Sequence, residues 1–154
     1  MKIYPLVYIL AVMVNYPWEL LQWRLYQGAK PVIGGLWHCF IAALGDGALV
    51  LLIMLLGWML SRNAEWFLRP SFRGYMVMVG LGASVTVIVE GIALHGGRWA
   101  YREQMPVVPF VNIGLTPLIQ MLVLPPLVFR LTKMLMRRKS DGNRRPSRSG
   151  PVVH

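Results

Sequence analysis

Apolar residues in this chain fall into four long runs, with the polar and turn-forming residues confined between them. Ile3–Leu21, Leu36–Leu60, Tyr75–Leu94 and Val111–Phe129 each approach or exceed the roughly 20 helical residues needed to cross a hydrocarbon core of about 30 Å. The first three runs hold one carboxylate each, and the fourth holds no charge. The segments between them carry Gly28 and Pro31, then Arg62 to Arg73, then Gly96 to Pro109. This pattern predicts an all-α polytopic membrane protein, with four transmembrane helices in an antiparallel bundle over residues 1–136. Residues 137–154 read as a basic, disordered tail, because from Lys139 onward Ser, Gly, Arg and Pro leave little to bury. Pro117, Pro125 and Pro126 are expected to bend or shorten the last helix, and any backbone groups they free need partners inside the protein.

Composition agrees with the pattern. The 154 residues are 56% hydrophobic and 14% charged, well below the roughly 25% charge of a soluble domain. Mean hydropathy is +0.51. The first run resembles a signal peptide but lacks a small-residue cleavage site, and Asn15, Pro17, Trp18 and Glu19 interrupt the place for one, so it reads as an uncleaved span. One cysteine, Cys39, excludes an intrachain disulfide and leaves the redox compartment open.

Charge sets the direction. Eight of the sixteen Lys and Arg lie between Arg130 and Arg148. With that tail in the cytoplasm, Lys2, Arg62, Arg69 and Arg73 join it inside, and only Arg24, Lys30, Arg98 and Arg102 lie outside. The split of twelve to four predicts both termini in the cytoplasm and a multi-pass protein of the plasma membrane, the inner membrane of a bacterium. The basic tail is expected to meet anionic lipid headgroups rather than nucleic acid. Tyr16, Trp18, Trp23, Trp37, Trp99 and Tyr101 fall near the outer boundary and Trp58 and Trp66 near the inner one, as an interfacial belt does.

The depth of the polar residues carries the functional signal. Glu19 and Gln22 end the first span, His38 opens the second, and Asp46 lies nearer its middle. Glu90 lies near the end of the third span, with His95 just past it, and Asn112, Thr116 and Gln120 occupy the first half of the fourth. Adjacent spans run in opposite directions, so all of these fall in the outer half of the bilayer or at its centre. Asn15, Glu19 and Gln22 follow i, i+4, i+7 spacing, and Asn112, Thr116 and Gln120 follow i, i+4, i+8. A carboxylate at mid-span costs at least about 2.5 kcal/mol by insertion scales, so such groups face a bundle interior or a wet cavity. The expectation is one polar pocket open to the outer surface. Asp46, Glu90, Glu19 and His38 are its candidate catalytic groups. Asn112, Thr116, Gln120, His95, Trp99 and Tyr101 are candidates for ligand binding. Plainer roles stand beside these: Glu19 and Asn112 among headgroups, Thr116 and Gln120 as interhelical hydrogen-bond partners, and Gly45, Gly47, Gly80, Gly82 and Gly91 as sites of close helix packing.

A carboxyl in an apolar pocket suits proton donation, and aromatic faces such as Trp99 and Tyr101 attract a developing cation. The stretch Glu90-Gly-Ile-Ala-Leu-His-Gly-Gly-Arg-Trp-Ala-Tyr101, followed by Met105-Pro106 and Pro109, resembles part of the carotenoid-biosynthesis membrane proteins, the carotenoid hydratases and small lycopene cyclases. The resemblance is limited to about residues 90–112. It rests on a span ending in glutamate, a glycine turn, a Trp/Tyr-x-Tyr element and a proline-rich return. It implies acid catalysis on a membrane-dissolved isoprenoid. The lycopene cyclases carry a Pro-x-Glu-Glu or Pro-x-Glu-Asp motif at the return; here Pro109-Phe110-Val111-Asn112 has no carboxylate, which argues against cyclisation.

Two other functions remain open. His38, His95, Glu19, Asp46 and Glu90, with Cys39 beside His38, are a conceivable metal or haem ligand set, although no metal-ligand spacing is present and no metal site is assigned. A non-catalytic subunit, assembly factor or component of a proton-linked transporter, as a homo- or hetero-oligomer, fits the same bundle. No phosphate loop or Ser-His-Asp set occurs.

Overall fold

The computed structural model describes residues 3–28 and 32–143. Helix α1 is Ile3–Gln22, followed by a short 3-10 turn at Trp23–Leu25; α2 is Val32–Ser61 and α3 is Phe72–His95. A two-stranded antiparallel hairpin, β1 Val107–Val108 with β2 Ile113–Gly114, leads directly into α4, Leu115–Asn143. All four helices are long and apolar enough to cross a membrane. Lys2, Lys30 and Pro31, and the tail beyond Asn143, lie outside the described residues.

The helix ends follow local chemistry. Ser71 caps α3, its hydroxyl accepting from the Gly74 amide at 3.3 Å. The other end of α3 closes in a Schellman turn: the Gly97 amide donates to the Leu94 carbonyl and the Arg98 amide to the Ala93 carbonyl, at 3.2 and 2.9 Å. Gly97 sits at φ +63° there, a conformation that costs glycine nothing.

The fourth span departs from expectation at both ends. Val107–Gly114 forms the hairpin, with Phe110 and Asn112 at positive φ, so α4 starts at Leu115 rather than Val111. Asn112 therefore leaves the helical face shared by Thr116 and Gln120. Pro117 occupies the first turn, where a missing amide hydrogen removes no helical bond. The helix also runs through Pro125 and Pro126 to Asn143, so the prolines do not shorten it and the expected tail is helical over its first residues. Pro125 has no N–H for the Met121 carbonyl, and that carbonyl lies against the Cα of Gly82, where a side chain would collide with it.

Helix α1 packs against α2 and α4, and α3 packs against α4. The loop between α2 and α3 turns back into the protein at the end opposite the hairpin. Trp66 and Phe67 are 6% and 3% exposed and pack with Val7, Met54, Met78 and Phe129. The Trp66 indole N–H donates to the Met54 carbonyl at 3.0 Å. Trp66 is thus a plug, not a member of an interfacial belt, whereas Trp58 is 45% exposed. Of the glycines read as packing sites, Gly47 abuts Tyr8 and Val12 and Gly82 abuts α4, but Gly45, Gly80 and Gly91 face open space.

Candidate functional site

The last turns of α1 present three amides and acids on one face because Asn15, Glu19 and Gln22 are spaced by four and three residues. All three are buried. Gln120 of α4, 2% exposed, reaches into them. Its Nε2 lies 2.8 Å from Asn15 Oδ1, 3.1 Å from Glu19 Oε1 and 2.8 Å from Asp46 Oδ2 on α2. An amide nitrogen has two hydrogens, so three acceptors share two donors. Gln22 Nε2 uses both of its hydrogens, donating to Glu19 Oε1 at 2.6 Å and to Gln120 Oε1 at 2.9 Å. Trp18 closes the set by donating to Gln22 Oε1 at 3.1 Å. The Glu19 and Asp46 carboxylates are thus brought together on one donor, the Gln120 amide. Three helices are therefore joined through one glutamine.

Glu90 of α3 has a different set of partners. The Schellman turn at Gly97 sends the chain back over the helix end, so that Trp99 Nε1 donates to Glu90 Oε2 at 3.1 Å and the Tyr101 hydroxyl donates to the same oxygen. The Gly114 amide at the end of β2 donates to the Tyr101 oxygen at 3.0 Å. Burial, and then the hydrogen bond to Glu90, push the Tyr101 phenol above its ordinary value. Burial, and then the negative charge of Glu90, do the same to Tyr26. Both phenols remain donors at neutral pH.

The two connecting segments at this end are stitched together. Tyr26 and Tyr101 form an antiparallel bridge. The Gln27 amide donates to the Ala100 carbonyl at 2.8 Å, and the Arg102 amide donates to the Leu25 carbonyl at 2.9 Å. The Tyr26 ring meets the rings of Trp99 and Tyr101 edge-on.

Between these networks lies a cavity of about 560 Å³, a size typical of small-molecule sites. Glu19, Asp46 and Glu90 all line it. Asp46 and Glu90 do not bond to each other; they face one cavity from separate networks. His38, Gln120 and Trp99 line it too, as do Gln22, Tyr26, Thr86 and Arg98. Tyr101 stands behind Glu90. Three of the expected ligand-binding residues are elsewhere. His95 turns back so that its Nδ1 is 2.7 Å from the Gly91 carbonyl. Asn112 is exposed in the hairpin turn, and the Thr116 hydroxyl donates to Met105 Sδ at 3.3 Å. Helical spacing alone reveals Asn15 and Gln22 as companions of Glu19. Nothing in the pattern marks Tyr26 or Arg98, which reach the cavity from the connecting segments.

The ligand set of a metal centre is not assembled: among the described residues no group of three or more His, Cys, Asp or Glu is placed to hold an ion. Nor does any buried side-chain nitrogen or oxygen lack a partner among them. Chemically, the cavity offers acids that can hold and pass a proton, aromatic faces, polar groups such as His38 and Arg98, and an apolar stretch of wall that includes Ile41, Leu49 and Val89. Comparison with protein-family models, with curated proteins and with solved structures finds no match for this chain.

Proposed function

We propose that the chain is an antiparallel four-helix bundle of the plasma membrane that binds a membrane-dissolved isoprenoid in this cavity and protonates one of its carbon–carbon double bonds. The excess of positive charge on one side supports an orientation with both termini in the cytoplasm and the cavity toward the outer side of the bilayer. The supporting observation is the meeting of Glu19 and Asp46 at a single amide beside a cavity that Ile41, Leu49 and Val89 also line.

Two adjacent carboxyls hold a proton between them more readily than they hold two charges. That pair is the proton donor. Transfer to an alkene carbon leaves a carbocation, with the carboxylate pair behind it and the faces of Trp99 and Tyr26 beside it. Water then adds to the cation and returns a proton to the pair, giving an alcohol. Alternatively, a neighbouring C–H gives its proton to Glu90 and the double bond has moved. Both bonds to Glu90 fall on Oε2, which leaves Oε1 for this step. The resemblance over residues 90–112 points to the same chemistry, since Glu90, Trp99 and Tyr101 act as one bonded unit.

The test is an acyclic polyprenol, an isoprenoid chain with one polar end, in vesicles containing the purified chain, suspended in heavy water. Products should carry deuterium at carbon; Asp46→Asn should abolish all of them and Glu90→Gln the shifted alkene, while insertion and helix content persist. No deuterium incorporation by the unsubstituted chain overturns the reading. Collapse of the fold in both variants instead assigns the networks to packing, the non-catalytic role that their complete hydrogen bonding also suits.

A further inference from the structure

The cavity is not a well open only at one end. Its wall along α2 runs from Gly35 to Leu49, fourteen helical steps or about 21 Å. That is longer than half of a hydrocarbon core of about 30 Å. Helices α2 and α3 meet at the deep end, where Leu49 and Val89 pack around Ile53 and Val85. Above that contact the α2 wall is exposed: Ile41 is 49% accessible, and Gly45 is exposed with nothing within 4 Å of where a side chain would begin. Yet both residues line the cavity. At the loop end the Leu25–Gln27 and Ala100–Arg102 segments are bonded together across the top.

We infer that the cavity is entered sideways from the bilayer, through a slot between α2 and α3 whose width is set by the missing side chain of Gly45. The occupant is an amphiphile with one long hydrocarbon chain. The chain lies along Ile41, Gly45, Leu49 and Val89, and the polar end reaches toward His38 and Arg98. Gly45 immediately precedes Asp46, so a chain in the slot passes the acid pair within a side chain's length. This rests on reading the cavity as a site for a membrane-dissolved molecule.

The position allows a clean test, because a Cβ at residue 45 has no atom within 4 Å to displace. Gly80 faces open space in the same way but does not line the cavity, so Gly80→Leu is the matched control. The probe is a fatty acid bearing a diazirine on its chain, photolysed in phosphatidylcholine vesicles containing the full chain and mapped by peptide mass spectrometry. Saturable labelling is expected on peptides covering residues 41–49 and 86–90. It should fall at least tenfold in Gly45→Leu and be unchanged in Gly80→Leu. Equal labelling of both variants, or labelling that never saturates, overturns the slot. The outcomes also separate the two proposals. Saturable labelling without deuterium incorporation ends the catalytic reading and keeps the slot. Undiminished turnover in Gly45→Leu ends the slot and keeps the catalysis.

Discussion

Replacing Gln120 tests whether the network is real, because the structure routes three helices through that one side chain. Gln120→Leu keeps the volume nearly constant and removes both amide hydrogens and the carbonyl. Three bonds disappear: two of the three donated to Asn15, Glu19 and Asp46, and the one accepted from Gln22. Interhelical hydrogen bonds in membranes average about 0.6 kcal/mol and reach about 1.7. Three of them amount to about 2 kcal/mol. Acceptors left without a donor add to that, since each stranded buried group costs about 1–3 kcal/mol where no water reaches it. Asp46 lines the cavity and is only partly buried, so its share of that cost is smaller and the expected loss is about 2–4 kcal/mol.

The assay is reversible unfolding by a denaturing detergent in mixed micelles, followed by far-ultraviolet circular dichroism. Thr116→Val is the comparison. It lies one turn earlier on α4, and its hydroxyl reaches only Met105 Sδ, so its loss should stay below about 0.5 kcal/mol. Combining Gln120→Leu with Asp46→Asn should cost less than the two separately, by about 1 kcal/mol, because they share a bond. Strict additivity, or a Gln120→Leu protein as stable as the parent, would refute the claim that this glutamine couples α1 and α2 to α4.

Three more predictions follow from single contacts. Gly82→Ala should destabilise by about 1–2 kcal/mol in the same assay, the overpacking against the Met121 carbonyl exceeding the gain in helix propensity; a stabilised variant would mean that α3 and α4 do not approach there. Trp66→Ala should cost about 3–5 kcal/mol and Trp58→Ala under about 1, a contrast that an interfacial belt would not produce. The raised phenols of Tyr26 and Tyr101 favour the protonated, folded state, so the stability they contribute is complete below the ordinary phenol value of 10.0 and falls as pH rises beyond it. In an alkaline absorbance titration, two tyrosines should ionise only with unfolding, and Tyr101→Phe should remove one of them.

Length and apolarity sufficed to find the four helices, since a span needs little more than about 20 residues without charge. The acids were legible for a related reason: lipid rejects them, so Glu19, Asp46 and Glu90 had to face inward, and they do. The start of α4 was not legible. Val107 to Gly114 is as apolar as a helix, and strands of two residues leave no alternation to read. The fate of Trp66 was equally hidden, because an amphipathic indole suits a membrane interface and a buried site with one carbonyl acceptor alike. Glu90 lies between these cases. Its depth is visible from its place in the span, but its partners depend on the reversal at Gly97, which returns Trp99 and Tyr101 over the helix end.

A polar network that serves only to lock helices together has no use for empty volume beside it; close packing around the bonded groups is what strengthens them. Here the bonded groups form the wall of a cavity instead. Gln120 is 2% exposed and Asn15 fully buried, whereas Asp46, held by the same amide, remains partly accessible from the cavity. Gly45, the residue before it, contributes no side chain to close the gap, although a Cβ there would have no atom within 4 Å. An unfilled position beside a partly accessible acid is the geometry that the proposed lateral entrance requires.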